Sequence, residues 1–403
     1  MPNAMPAGAP APPAYAPDLF APAALRDPFD HYRAIRDIGP LAWLSATQVY
    51  GLARFDTVQA GLRAAEALVS GEGVGFNAAF NAQPQHAPVI RRDGAAHRHL
   101  RRVLARPLMP AALKPHRVML KALIGERIAS LKGQGLFEAV DGLARHLPIE
   151  AVAHLVGLGD ADRAQMLRWA TASFNAIGPL SLDGSDYPAL VADLEIQVEV
   201  RQHLSEMDPA TIRPGSWAAS LFEAVEAGQL SLADARAALS GLVLPSLDTT
   251  INAKANLLHA LATHPDEWAA LKADPGLIPA AVQEGMRYQP VVRWFSRVAA
   301  TDYAVEDMVI PTGARVMLLY GAANRDERHY PDPDRFRIAR DPTDQLGWGT
   351  GPHMCAGAHL ARIEMEVMLE ALVEQVDALR VDGAVKSANR GLHGFDRLML
   401  RLD

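Results

Sequence analysis

The sequence holds one cysteine, Cys355, in 403 residues. A single thiol excludes an intrachain disulfide framework and any zinc site built from several cysteines. Three roles stay open for it: inert filler, nucleophile or metal ligand. Aromatic residues are few, at 6%, within an ordinary globular composition. No apolar run is long enough for a membrane span. Positive charge is not in excess: 39 Lys and Arg against 46 Asp and Glu give a formal net charge of -7. That excludes a bulk cationic surface for nucleic acid or anionic lipid and confines any basic docking face to a local patch. The first residues lack the basic start and apolar core of a secretory signal, and the expected compartment is the cytoplasm.

What is present is an ordinary globular composition, 49% hydrophobic and 21% charged, long enough to bury a large core. Residues 1–24, rich in Ala and Pro, read as a mobile or extended tail, and 25–403 as one domain. Helical spacing covers 28–38, and two short strands follow at 41–45 and 49–55. The glycine-bearing loop 70–88 has the composition of a binding loop. Helical patterns dominate 97–287, short strands including 314–320 come next, and a helix covers 356–376. The expected fold is mainly α with small β-sheets and no internal repeat. The longest helix, Leu232–Thr263, would extend about 48 Å. Between Arg236 and His259 its only charged residues are Asp248 and Lys254. A helix apolar on nearly every face is buried, which makes Asp248 a candidate buried acid.

Cys355 lies in Gly347-Trp348-Gly349-Thr350-Gly351-Pro352-His353-Met354-Cys355-Ala356-Gly357, directly before a helical run. Glycines on both sides let the loop approach something flat, and the first helical turn offers free N–H groups to a thiolate. Such surroundings are expected to lower the thiol pKa and suit the sulfur to a metal. The segment resembles the haem-binding signature of the cytochrome P450 family, with Trp348 in place of the usual Phe. The resemblance implies the cytochrome P450 fold and haem b as cofactor. It makes Cys355 the axial thiolate, with Trp348 and Gly357 in the cofactor site.

Further stretches carry the same resemblance. Glu284-Gly285-Met286-Arg287, followed by Pro333-Asp334-Arg335-Phe336, is similar to the family's buried network, implying a structural set of Glu284, Arg287 and Arg335. The run from Asp93 to Arg101 resembles the segment that supplies haem-propionate ligands, which implies His97 and Arg101, joined by Arg297 and His353. Leu247-Asp248-Thr249-Thr250 resembles the acid–alcohol pair over the iron, implying that Thr249 serves oxygen activation and Asp248 couples it to solvent. Just before it, Pro245 and Ser246 replace the expected small residue and glycine. A proline inside a helix removes an N–H and clashes with the carbonyl four residues back, here Gly241. A kink is therefore expected there, with Ser246 adding a hydroxyl to the relay.

The implied activity is monooxygenation with O2 and two electrons from separate proteins, a ferredoxin and its reductase. Arg98, Arg102 and Arg106 form a candidate docking patch for an acidic carrier. Within the family, the segments around Gly73, Phe174 and Asp248 look most like bacterial enzymes that oxidise para-substituted benzoates, including methoxybenzoate O-demethylases. Phe76, Phe174, Ile177, Leu244, Pro245, Val292 and Phe295 would then line a small, flat, apolar pocket. Glu72 in the first loop would repel a carboxylate unless Arg91, Arg92 or Arg293 turns inward, which points to a neutral methoxyphenol or aryl ether. Three rivals compete: a haem-thiolate protein that uses peroxide, a non-catalytic haem sensor, and a cysteine-nucleophile hydrolase. The Asp248–Thr249 pair speaks against the first. No output or nucleic-acid module supports the second, and the Glu284, Arg287 and Arg335 set has no purpose in the third.

Because no second cysteine can substitute, Cys355→His is expected to abolish the thiolate-type Soret band of the reduced, carbon-monoxide-bound protein. A band retained at that position would exclude Cys355 as the ligand.

Overall fold

The computed structural model describes residues 9–81, 87–157, 163–180, 184 and 187–403. The Leu232–Thr263 helix runs through the middle of the molecule and packs against helices on several sides. Its start is capped by Ser231, whose hydroxyl accepts from the Asp234 N–H at 3.0 Å, while Asp234 places an acid in the first turn. Both features stabilise a helix N-terminus. Its core face buries Leu239, Leu242, Leu247, Ile251, Leu257, Leu258 and Leu261. Lys254 on this helix is fully buried and ion-paired at 2.6 Å with Glu364 of the Ala358–Gln375 helix. Each of these charges is tolerable in the interior only because of the other.

The helix continues without interruption through Pro245. Residues on both sides of the expected kink belong to this one helix. Proline still leaves the Gly241 carbonyl without its usual donor, but the neighbouring hydroxyls turn back onto the helix: Ser246 Oγ donates to the Leu242 carbonyl and Thr249 Oγ1 to the Pro245 carbonyl. Packing on several sides keeps the helix together where propensity alone disfavours it.

A six-stranded sheet flanks the helical body, with strands Ala14–Tyr15, Ala42–Leu44, Val49–Leu52, Arg315–Leu319, Trp294–Ala299 and Leu68–Val69 side by side in that order. The first pair and the Val49–Leu52/Arg315–Leu319 pair are parallel; the others are antiparallel. This arrangement corrects the mobile half of the expectation for the N-terminal tail and agrees with its extended half. Residues 1–8 lie outside the described residues, but Ala14–Tyr15 pairs with Trp43 and Leu44 as an edge strand. Leu19 and Phe20 are buried. Phe20 meets the Phe76 and Trp294 rings edge-on at 6.1 and 5.7 Å. Proline-rich chain is already extended, and an edge strand needs only half of its N–H groups paired, so the composition that reads as loose also suits a sheet edge. A second sheet joins Leu136–Glu138 to the C-terminal hairpin of Leu379–Lys386 and Phe395–Leu402.

Glu284 and Arg287 are both fully buried on the Ile278–Tyr288 helix and form a two-pronged pair, 2.7 Å from Nε to Oε2 and 2.8 Å from Nη2 to Oε1. Arg287 also donates to the carbonyls of Asn324, Pro333 and Arg335. The third basic member differs from the expectation. The Arg335 side chain is exposed, and Arg335 contributes its carbonyl. Arg340 Nε reaches Glu284 Oε1 at 3.3 Å, alongside the Arg337 N–H at 2.9 Å. The turn of chain at Ile338–Arg340 aims position 340, not 335, back at the carboxylate. Arg335→Ala should therefore change stability by less than about 0.5 kcal/mol. Arg340→Ala, which removes charge-assisted hydrogen bonds, should cost about 1.5–3 kcal/mol. Urea midpoints of the two variants decide which arginine completes the network.

Candidate active site

Cys355 sits between a tight turn and the start of the Ala358–Gln375 helix. Its N–H donates to the Trp348 carbonyl at 2.8 Å. The turn holding it needs glycine: Gly349 and Gly351 have φ of 68° and 72°, and a Cβ on Gly351 would lie 2.7 Å from the Leu62 carbonyl oxygen. The thiol pKa runs against the sequence expectation. The chain packed behind the sulfur pushes it up although the sulfur is exposed to the cavity, and the Gly357 N–H, Arg101, Arg362 and the Ala358 N–H oppose that rise. The helix start does supply the donors foreseen. The Trp348 indole N–H points to Gln283 Oε1 at 3.3 Å, and the Arg362 guanidinium lies over the ring at 5.3 Å. No signal in the sequence marked Gln283 or Arg362.

Cys355 opens into a cavity of about 580 Å³. On one side stand His97, Arg101, Arg297 and His353, brought together from three separate stretches of chain, the first two from one helix. His97 is buried, and its Nε2 has no hydrogen-bond partner. Burial, then His353 and Arg101, lowers its pKa to about 4, so the ring is neutral at pH 7. Its centroid is 4.3 Å from that of His353. His353 Nε2 faces Asp93 at 3.6 Å, and the Asp93 carboxylate also accepts the N–H groups of Ser70 and Gly71. Arg101 donates to the Met354 carbonyl at 2.6 Å. Arg297 is buried and hydrogen-bonded with the Tyr320 phenol, a cavity residue that sequence reading missed.

Across the cavity the central helix presents Leu244, Pro245, Ser246, Thr249 and Thr250. Asp248 is not on this wall. Successive helical residues point about 100° apart, so the alcohol faces in while the acid faces Thr171 and Arg145. The hydroxyl protons of Ser246 and Thr249 bond back to the helix, which leaves both oxygens able to accept. Of the expected pocket residues, Phe174, Ile177, Leu244, Pro245, Val292 and Phe295 line the cavity. Phe76 does not: its ring is tilted against Trp294 at 4.6 Å and belongs to the core under the N-terminal segment. Glu72 is exposed and lies outside the lining, with its carbonyl held by Arg315. Arg293 is buried away from the cavity, donating to the carbonyls of Leu25, Ser387, Asn389 and Leu392. Arg92 pairs with Asp234, whereas Arg91 does line the cavity. Gln197 and Ser173, bonded to each other at 2.9 Å, line it too without having been foreseen.

Residues 276–384 match the family model described as Cytochrome P450. The chain is 32% identical to Cytochrome p450 CYP199A2 of Rhodopseudomonas palustris over 390 residues, covering 96% of this chain and 93% of that protein. It is 30% identical to the beta-dihydromenaquinone-9 omega-hydroxylase of Mycobacterium bovis, covering 94% and 77%. Among solved structures it superposes on CYP109E1 from Bacillus megaterium with a TM-score of 0.84 at 22% identity, covering 95% and 100%. CYP109Q5 from Chondromyces apiculatus gives 0.78 at 25% identity, covering 96% and 98%.

Burial raises the Asp248 pKa to about 6, opposed by the Thr171 hydrogen bond and the Arg145 charge. A carboxyl raised in the folded state binds its proton more tightly there than in the unfolded chain. Its stabilising contribution is complete below about pH 4 and is lost as pH rises through about 6. Asp248→Asn should therefore gain up to about 3 kcal/mol relative to the parent between about pH 4 and pH 7.5, read from denaturant midpoints at both pH values. An unchanged difference would mean that Asp248 titrates as an ordinary surface acid.

Proposed function

The chain belongs to the cytochrome P450 family, a haem-thiolate monooxygenase that binds haem b. On that premise we propose that it oxidises a small aromatic substrate of the methoxybenzoate or methoxyphenol type. The observation that carries this reading is the cavity: the Cys355 sulfur and Thr249 open into the same space as Phe174, Val292 and Phe295. The residues fit the cofactor. His97 has a buried ring nitrogen without a partner, and the adjacent Arg101, Arg297 and His353 supply the donors that two propionates require. No Asp or Glu among the described residues lines the cavity to oppose those carboxylates.

In this reading Cys355 holds the iron, with the Gly357 and Ala358 N–H groups directed at its sulfur. Haem b, when bound, supplies the redox chemistry that splits dioxygen with two electrons and two protons. The chain's own residues control the rest. Thr249 presents a hydroxyl oxygen to the cavity, and Asp248 behind it can carry a proton near neutral pH. Together they offer a path for protons through a wall that otherwise excludes water. Leu244, Val292 and Phe295 hold an aromatic ring by apolar contact. For an aryl methyl ether, one oxygen atom is inserted into a methyl C–H bond and the other leaves as water. The resulting hemiacetal separates into the phenol and formaldehyde.

Arg98, Arg102 and Arg106 are exposed along the outer face of the Gly94–Ala105 helix and the turn after it. They support docking of an acidic ferredoxin, itself reduced by a reductase, close to the loop that carries Cys355. Among the described residues no helix is long and apolar enough to cross a membrane.

Titration of the haem-loaded protein with 4-methoxybenzoate, guaiacol and non-aromatic rings of the same size tests the substrate class. Aryl ethers should drive the low-spin to high-spin change and release formaldehyde in proportion to the electrons consumed. Equal spin conversion by the saturated analogues would overturn the aromatic reading.

A further inference from the structure

The cavity has two cationic regions. One is the His97, Arg101, Arg297 and His353 group beside Cys355, matched by the two carboxylates of haem b. Arg236 belongs to the other. It lies on the same central helix as Leu244 but eight residues earlier, about 12 Å along the axis. Its Nε is buried without a hydrogen-bond partner, and its Nη2 reaches the Met207 carbonyl at 3.5 Å, long for a hydrogen bond. Ser205 and Ser240 line the cavity near it.

Arg91 strengthens this far region. It ends the Val89–Arg91 turn and lines the cavity. The next residue, Arg92, is ion-paired at 2.6 Å with Asp234, which brings the turn against the N-terminal end of the central helix. Asp234, two residues from Arg236, is engaged by Arg92 and by Ser231. The far region is thus positive, and the Glu72 side chain that would have offset it lies outside the lining.

We propose that this region is a carboxylate-binding subsite centred on Arg236, and that the substrate is an elongated aryl acid whose ring is oxidised near Cys355 while its acid tail reaches Arg236. The inference rests on the monooxygenase reading and narrows its aromatic substrate to aryl acids with a tail longer than that of methoxybenzoate. A carboxylate forms a charge-assisted pair with the partly buried guanidinium, whereas a neutral tail leaves its buried Nε without a charged acceptor. Length follows from geometry. An extended chain gains about 1.2 Å per bond, and about 12 Å less a hydrogen bond of about 3 Å corresponds to roughly seven or eight bonds. A carboxyl group directly on the ring falls short of Arg236.

The test uses haem-loaded protein whose reduced carbon-monoxide spectrum is intact, so that a failure of the subsite is distinguishable from a failure of the haem-thiolate reading. Spin-state titrations compare 4-methoxybenzoate with (4-methoxyphenyl)alkanoates of about two to ten methylenes, each beside its methyl ester. Affinity should climb with tail length to a maximum near six to eight methylenes, where the acid should exceed its ester by about tenfold or more. Arg236→Gln should erase that preference, and Arg236→Lys should restore part of it. Tightest binding by 4-methoxybenzoate overturns the proposal, as does the lack of an acid preference at every length. It is also overturned if Arg236→Gln lowers thermal stability but leaves the acid-to-ester ratio unchanged, because Arg236 would then only cap the Tyr187–Glu206 helix. Simple alkanoates binding as well as the aryl acids would support the subsite and overturn its aromatic part.

Discussion

A fully buried guanidinium has to find a partner for each of its N–H groups, and Arg287 meets that requirement by gathering distant chain around itself. Its fork holds Glu284, and its remaining donors take the carbonyls of Asn324, Pro333 and Arg335. Asn324 passes the constraint on: its side-chain oxygen accepts the Leu346 N–H at 2.7 Å. Leu346 opens the turn that ends at Trp348, and the Trp348 carbonyl accepts the Cys355 N–H. The position of the sulfur is therefore tied through short hydrogen bonds to a charge pair that water cannot reach. Removing either charge would leave the other buried alone, which is far costlier than losing a surface pair.

The central helix provides the opposite wall under a related constraint. Buried on most faces, it holds a charge in the interior only where a partner is supplied. Lys254 is satisfied by Glu364 on the helix that follows Cys355, so the two walls are joined by an ion pair as well as by apolar packing. Asp248 and Thr249 are neighbours in sequence with opposite outlooks, one toward Thr171 and Arg145 and the other toward the cavity. An acid behind the wall with a pKa near 6 and an alcohol on it are suited to moving protons without opening the site to bulk water.

Charge inside the cavity is as uneven as its shape. Among the described residues every ionisable side chain lining it, Cys355 and Tyr320 apart, is arginine or histidine, although the chain as a whole carries a net charge of -7. Such a field favours anions in a space of low dielectric constant and disfavours cationic ligands. His97 is kept neutral first by its burial and then by the neighbouring His353 and Arg101, which disfavour a further positive charge there.

Much of this was legible in the sequence. The lone cysteine between glycines, the Leu232–Thr263 helix with its buried acid, and the His and Arg residues near Cys355 and Gly94 are local patterns, because helical period and loop composition act over a few residues. The segment 14–20 was misread because composition describes how a chain behaves alone, whereas its strand pairing and the burial of Phe20 depend on partners at Trp43 and Trp294. Which arginine meets Glu284, whether Glu72 and Phe76 reach the cavity, and that Arg236 does, were decided by tertiary structure alone. Each depends on the direction a side chain takes after the backbone turns, and that direction is set by residues remote in sequence that fill the space around it.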